Sequence, residues 1–177
     1  MIYYTSDLHL GNKNIIKYED RPWKTVEEMD EALIANWNRR VKPEDNVYVL
    51  GDFCLKGATR TIEYLEQLNG HIHLLRGNHD HFMSQKSFEM WKWNSDKGDE
   101  VRLQGYYAHI EDNGREVILC HYPILYWDGM DGRRSIHLYG HVHTYRDCSK
   151  MAPNSYNVGV DVNNYMPVTL EELMRKE

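Results

Sequence analysis

Polar side chains of a restricted kind follow five successive apolar runs of the chain, and this arrangement strongly limits the possible folds. The segments directly after these runs are Asp7–His9, Gly51–Asp52, Gly77–Asp80, His121 and Gly140–His143. In open α/β sheets, ligands bind outside the carboxyl ends of the strands. We therefore expect carboxylate, imidazole and carboxamide groups to meet at one edge of a sheet.

The pattern between these segments predicts strands that alternate with helices. Strands are predicted at 2–6, 47–50, 72–75, 136–139 and 156–162, and a hairpin over 101–120 with its turn at 113–114. Helices are predicted at 25–41 and 59–68, and a third begins at the capping box of Thr169 and Glu172. The run 92–97 mixes charges and is predicted to be a solvated loop. The class is α/β, with a partly mixed sheet and one domain over 1–177.

Composition excludes several classes of protein. Lys plus Arg number 21 against 27 for Asp plus Glu, a net charge of −6. That balance argues against a protein that coats DNA or anionic membrane, because such binding needs clustered positive charge. The N-terminal residues lack the pattern of a signal peptide, and no apolar run approaches the ~18 residues of a membrane span. We expect a cytoplasmic protein with no membrane partner.

The polar residues after the runs are typical of a metal site. Within two short segments the spacing is i, i+2 (Asp7 with His9, His141 with His143), which on an extended backbone places both side chains on one side. Seven donors are enough for two divalent ions that share one carboxylate. Because the set contains imidazole nitrogen and oxygen but no thiolate, it suits Mn, Fe, Zn or Ni. Two dications and two aspartates leave a charge of about +2, which a phosphate and a hydroxide would neutralise. The proposed ligands are Asp7, His9, Asp52, Asn78, His121, His141 and His143.

In their order and composition, these five segments resemble the calcineurin-like metallophosphoesterases, and most of all the small bacterial and phage members. The resemblance implies a four-layer sandwich of two mixed β-sheets flanked by helices, and two transition-metal ions, with Mn favoured. One ion would be held by Asp7, His9, Asp52 and His143, and the other by Asp52, Asn78, His121 and His141. Asn12 departs from the pattern, since many such members carry His there.

The resemblance also implies a mechanism of phosphate-ester hydrolysis. A hydroxide that bridges the two ions would attack phosphorus in line. His79 is the candidate general acid for the departing alkoxide. Asp80 is predicted to orient the His79 ring and to stabilise its charge. By contrast, Asp161 is interpreted as a structural acid at a strand end.

The sequence says less about the substrate. Loops 10–24 and 122–134 flank the predicted site; Arg133 and Arg134 are candidates to clamp phosphate, and Tyr126 and Trp127 to stack on a base. A short chain leaves little room for a capping domain, which favours phosphodiesters, nucleotide-derived ones included, over monoesters. The alternatives are a phosphomonoesterase or phosphoprotein phosphatase with the same site, and a non-catalytic metal-binding scaffold of the same fold. Oligomeric state is not predicted.

Overall fold

The computed structural model describes residues 1–131, 134–145, 148 and 152–175. Its two four-stranded sheets, with flanking helices, form an α/β fold. The first sheet contains β1 (Ile2–Thr5), β2 (Asn46–Leu50), β3 (His71–Leu75) and β4 (Val101–Gly105), in that order and all parallel. An isolated antiparallel bridge joins Tyr4 of β1 to Val168.

The second sheet is mixed. It contains β5 (Tyr107–Asp112), β6 (Arg115–Cys120), β7 (Ser135–Tyr139) and β8 (Ser155–Asn157). β5 and β6 pair antiparallel, while β6, β7 and β8 pair parallel. The carboxyl ends of β6 and β7 therefore point the same way and place His121 and the 141–143 segment together.

Side chains along the strands of the first sheet point alternately to its two faces, so the core has two layers. Tyr3 and Val49 face the helices, whereas Tyr4, Leu50 and Leu75 face the second sheet. The helices are α1 (Lys13–Tyr18), α2 (Val26–Arg40), α3 (Ala58–Leu65), α4 (Lys86–Asn94), α5 (Asp96–Glu100) and α6 (Leu170–Met174). The predicted capping boxes at the starts of α2 and α6 are both present. Within the described residues, no helix combines the length and the apolar character that crossing a membrane requires.

Three local predictions were wrong. Residues 101–105 pair in parallel with β3 in the first sheet, so the hairpin covers only 107–120; the chain changes sheets at Gly105, whose φ is +74°. The strand predicted at 156–162 ends at Asn157, and Val160–Val162 form a 3-10 turn. The run 92–97 lies in α4 and α5, where the ring of Phe88 packs edge-on against that of Phe82.

Candidate metal centre

Left-handed backbone occurs at most of the predicted ligands. The φ angles lie between +44° and +69° at Asp7, His9, Asp52, His141 and His143. Residues other than glycine rarely adopt this conformation, which costs roughly 1–3 kcal/mol each and concentrates at functional sites. The extended backbone assumed for the two i, i+2 pairs was therefore wrong. Their side chains converge because the chain curls at these positions after each strand has ended.

Two glycines allow the ligand loops to approach one another closely. A Cβ atom on Gly77 would lie 2.2 Å from Oδ1 of Asp52. A Cβ atom on Gly140 would lie 2.1 Å from Oγ of Ser6 and 2.4 Å from Oδ2 of Asp7. Any side chain at these positions would push the carboxylates out of place.

Asp7, His9 and His143 form the first cluster, in which one donor atom from each residue lies within 4.8 Å of the others. Nε2 of His143 lies 3.8 Å from Oδ1 of Asp7, and Nε2 of His9 lies 4.0 Å from it. Oδ1 of Asp7 and both ring nitrogens of His9 are buried without a hydrogen-bond partner. Buried polar atoms are normally paired, so Oδ1 of Asp7 and one ring nitrogen of His9 fit a bound cation.

Asp52, His121 and His141 form the second cluster. Nδ1 of His121 donates to the carbonyl oxygen of Leu50 at 2.7 Å, which leaves the lone pair of Nε2 facing Oδ2 of Asp52 at 3.6 Å. The same Oδ2 lies 3.6 Å from Nε2 of His9 in the first cluster. Oδ1 of Asn78 lies 3.0 Å from Nε2 of His121. One oxygen of Asp52 therefore faces both clusters.

A buried ion pair supports the first cluster from behind. Oδ2 of Asp161 accepts from Nδ1 of His143 at 2.7 Å, and Arg21 donates to both oxygens of Asp161, at 2.8 and 3.0 Å. The Arg21 guanidinium also donates to the carbonyl oxygens of Asp7 and Leu8, at 2.7 and 2.9 Å. Asp161 is thus more than the structural acid that was expected, since it fixes the orientation of the His143 ring. Arg21 stands in no motif, and no signal in the sequence identified it.

His79 lies at the mouth of the site, and Asp80 lies inside the fold. The side chain of His79 is 45% exposed, and its Nε2 is 3.9 Å from Oδ2 of Asp52. Asp80 is fully buried and accepts from three backbone N–H groups, those of Asp52, Phe53 and Gly77, at 2.7 to 2.9 Å. None of these hydrogen bonds reaches the His79 ring. The prediction that Asp80 orients His79 was therefore wrong, because the carboxylate instead fixes the loop that carries Asp52.

A cleft of about 340 Å³ opens over the clusters. The residues that line it come from the ligand loops and from the segment around α1: His9, Asn12, Asn14, Ile15, Tyr18, Glu19, Asp52, Leu55, Asn78, His79, His141 and His143. Part of the predicted loop 10–24 therefore does border the site.

The residues predicted to bind substrate are not among those described as lining this cleft. Arg134 is exposed elsewhere, and Arg133 lies outside the described residues. Trp127 is buried, and its Nε1 donates to Oγ of Ser135 at 3.0 Å, so its ring packs in the fold instead of stacking on a base. The hydroxyl of the exposed Tyr126 contacts Asp131.

The model of the calcineurin-like phosphoesterase family matches residues 1–164. The chain belongs to this family. It is therefore a phosphoester hydrolase of a metal-dependent family, which confirms the predicted enzyme class and fold. The uncharacterized protein MJ1445 of Methanocaldococcus jannaschii is 38% identical and covers 98% of this chain and 89% of its own length.

Other relatives and solved structures are similar to this chain over most of its length. The gene 66 protein of Mycobacterium phage D29 is 29% identical, over 90% of this chain and 87% of that protein. A protein of unknown function from Aquifex aeolicus, AQ665, has 26% identity and a TM-score of 0.71, covering 100% of this chain and 99% of its own. An archaeal phosphodiesterase has the same fold, with a TM-score of 0.52 and 17% identity over 97% of this chain and 94% of that one.

Burial keeps two of the ligand imidazoles of this phosphoesterase, His9 and His121, neutral, as metal binding requires. Burial lowers the pKa of His9 to about 2 and that of His121 to about 4, so both rings are unprotonated at neutral pH. Burial raises the pKa of Asp7 to about 7. At His143, burial is the largest single influence and lowers the pKa, but the hydrogen bond to Asp161 and the negative charges of Asp7, Asp161 and Glu19 together outweigh it, so the pKa is raised. A cation placed among these donors would favour the charged form of Asp7 and satisfy its free oxygen.

Proposed function

We propose that this phosphoesterase is a phosphodiesterase that uses two divalent transition-metal ions, of which Mn²⁺ is favoured. The observation that carries the proposal is the position of Asp52, whose Oδ2 lies 3.6 Å from Nε2 of both His9 and His121. One carboxylate oxygen between two groups of imidazoles is the arrangement that a pair of cations requires. The donors, nitrogen and oxygen without sulfur, suit Mn²⁺, Fe²⁺, Zn²⁺ or Ni²⁺ better than Mg²⁺ or Ca²⁺.

Each ion has its own ligands. Asp7, His9 and His143 would hold the first, Asn78, His121 and His141 would hold the second, and Asp52 would serve both. When bound, the cations supply Lewis acidity toward the phosphate oxygens and acidify the attacking water. The left-handed loops and the buried Arg21–Asp161 pair hold the donor atoms in place before any ligand arrives, so little reorganisation is needed.

His79 is our candidate for the acid that protonates the leaving group. Its ring borders the cleft and is partly exposed, as an acid that meets substrate must be. In the reaction, the oxygen of one water releases a proton to solvent and forms a bond to phosphorus, while the bond from phosphorus to one ester oxygen breaks. The departing oxygen takes a proton from His79. The products are a phosphomonoester and an alcohol, and His79 regains its proton from solvent.

The open cleft supports a diester substrate. Leu55 and Tyr18 at its border are exposed, and the residues described around the cleft include no arginine or lysine to pair with the second charge of a monoester. The archaeal protein that shares the fold is described as a phosphodiesterase.

Purified protein stripped of metal and reloaded with Mn²⁺, Ni²⁺, Zn²⁺ or Mg²⁺ tests the proposal. We expect two ions per chain by elemental analysis and a higher kcat/KM for bis-p-nitrophenyl phosphate than for p-nitrophenyl phosphate or a phosphopeptide. A single bound ion, a preference for the monoester or the phosphopeptide, or no hydrolysis with two ions bound would each contradict it.

A further inference from the structure

Two adjoining hollows meet over the clusters. The cleft described above is the first hollow, and it extends toward α1. The second hollow, of about 300 Å³, is lined by Glu19, His141, Val142, His143 and Tyr145. The two hollows share Glu19, His141 and His143, so the ligand imidazoles lie at their junction. A phosphorus atom held at that junction would have one ester substituent in each hollow.

Each hollow has one strongly exposed tyrosine. Tyr18 in the first hollow is 73% exposed, and Tyr145 in the second is 92% exposed. Leu55 adds a partly exposed apolar side chain to the first hollow. An exposed aromatic face beside a polar site is suited to stacking on a flat ring, and such stacking tolerates any base.

The charge of the hollows disfavours additional phosphates. The described residues that line the two hollows include no lysine or arginine. Glu19 lies between the hollows, and its Oε2 accepts from Oγ1 of Thr144 at 2.9 Å, which holds the carboxylate in place. A second phosphate group on the substrate would be repelled by Glu19, and the described residues that line the hollows offer it no lysine or arginine.

The position of His79 distinguishes the two hollows. His79 borders the first hollow and is not among the described residues of the second. Because the departing oxygen must receive its proton, the leaving group belongs in the first hollow and the retained substituent in the second.

We propose that the two hollows are subsites for two flat, uncharged ring substituents of a single phosphodiester, and that the substrate class is a dinucleoside-type diester with one phosphate. Tyr18 and Leu55 bind the leaving nucleoside, and Tyr145 binds the retained one. Glu19 selects against substituents that carry further phosphates. This inference rests on the proposed phosphodiesterase activity and specifies its substrate.

The test compares probes that share the p-nitrophenolate leaving group and differ in the retained group. They are methyl p-nitrophenyl phosphate, thymidine 5′-(p-nitrophenyl phosphate), and the same thymidine compound with an added 3′-phosphate, each assayed with the Mn²⁺-loaded protein. We expect the wild type to prefer the thymidine probe without the 3′-phosphate over the methyl probe by about tenfold, as stacking of one base predicts. The added 3′-phosphate should remove most of that preference.

Single substitutions test which substituent each hollow binds. Tyr145→Ala should lower kcat/KM about tenfold for the thymidine probe and leave the methyl probe within twofold. Tyr18→Ala should lower both probes alike, because both place nitrophenolate in the first hollow. Glu19→Gln should reduce the penalty of the 3′-phosphate. The matched control is Tyr106→Ala, which removes an exposed tyrosine that lines neither hollow and should change nothing.

The outcomes separate the two proposals. If the wild type hydrolyses the methyl probe but Tyr145→Ala affects the methyl and thymidine probes equally, or affects neither, the subsites are wrong and the phosphodiesterase stands. The same holds if the 3′-phosphate probe is the best substrate. If no probe is hydrolysed with two ions bound, the phosphodiesterase proposal fails and this inference fails with it. Metal content and thermal unfolding of each variant show that lost activity does not reflect lost folding.

Discussion

The two clusters of the metal centre are supported in different ways. In the first cluster, His143 is held by the carboxylate of Asp161, which is itself held by the buried guanidinium of Arg21. In the second, His121 is held by a backbone carbonyl of β2, and His141 is exposed. The first cluster therefore depends on an ion pair from distant segments, and the second on the strand ends. We expect the first cluster to hold its ion more tightly, because its donors are more deeply buried and are fixed by charged partners.

We expect the largest effect from a substitution of Asp52, the carboxylate that faces both clusters. Asp52→Asn takes away the charge that faces both clusters, so hydrolysis of bis-p-nitrophenyl phosphate should fall by about 10³-fold or more, and fewer than two ions should remain by elemental analysis. Asp112→Asn is the matched control, since Asp112 is also buried but accepts from the Tyr4 hydroxyl at 2.9 Å, away from the metal centre. Parent-like activity of Asp52→Asn would remove the basis for a shared carboxylate.

A substitution of His79 tests whether protonation of the leaving group can be lost while both clusters keep their ions. His79→Asn should lower kcat by roughly 10²- to 10⁴-fold for a diester with a poorly departing nucleoside, and by far less for a p-nitrophenyl ester, which needs little protonation. Both ions should stay bound. Equal losses on the two substrates, or loss of an ion, would show that His79 is not the acid.

The Arg21–Asp161 pair that holds His143 can be removed without changing any ligand. Asp161→Asn and Arg21→Met should each lower Mn²⁺ affinity at one of the two sites by about 10- to 100-fold, measured by titration calorimetry, and leave the other site unchanged. Comparison with His143→Ala and His121→Ala identifies which site has weakened. Arg40→Met is the control, because Arg40 pairs with Glu172 far from the ligand loops. Equal weakening of both sites would contradict the distinction between the clusters.

The smallest expected effect is the dependence of Mn²⁺ affinity on pH. Without metal, the pKa of Asp7 is about 7, because burial favours the neutral carboxyl, so below pH 7 a cation must displace a proton there. The proton on Asp7 alone should therefore lower the Mn²⁺ affinity of the first cluster by up to about tenfold per pH unit below 7. The His121 ring, with a pKa of about 4, stays neutral over that range. Calorimetry at pH 6 in buffers of different ionisation enthalpy should detect released protons, of which Asp7→Asn removes the share of Asp7 and leaves that of the His143 ring, whose pKa is also raised; a release that Asp7→Asn does not reduce would contradict the assignment.

Much of this molecule was predictable because the signals are local. Capping boxes need only Thr and Glu three residues apart, and both that were predicted are present. The order of the polar segments after apolar runs identified the family and the residues that the structure brings together. Those segments meet because the carboxyl ends of β1, β2 and β3, and of β6 and β7, lie at the same edges of parallel-paired strands.

What the amino-acid sequence determined by itself is the set of donor groups and their distribution among strand ends, since strand periodicity and residue chemistry can be observed within a few residues. Only the tertiary structure decided how those donors are held. The left-handed turn at Asp7, the burial of Asp80 against three N–H groups, and the pairing of Arg21 with Asp161, 140 residues away along the chain, all depend on contacts between segments that folding brings together. Local sequence patterns do not encode such contacts, because their energies depend on burial and on distances that exist only in the folded chain.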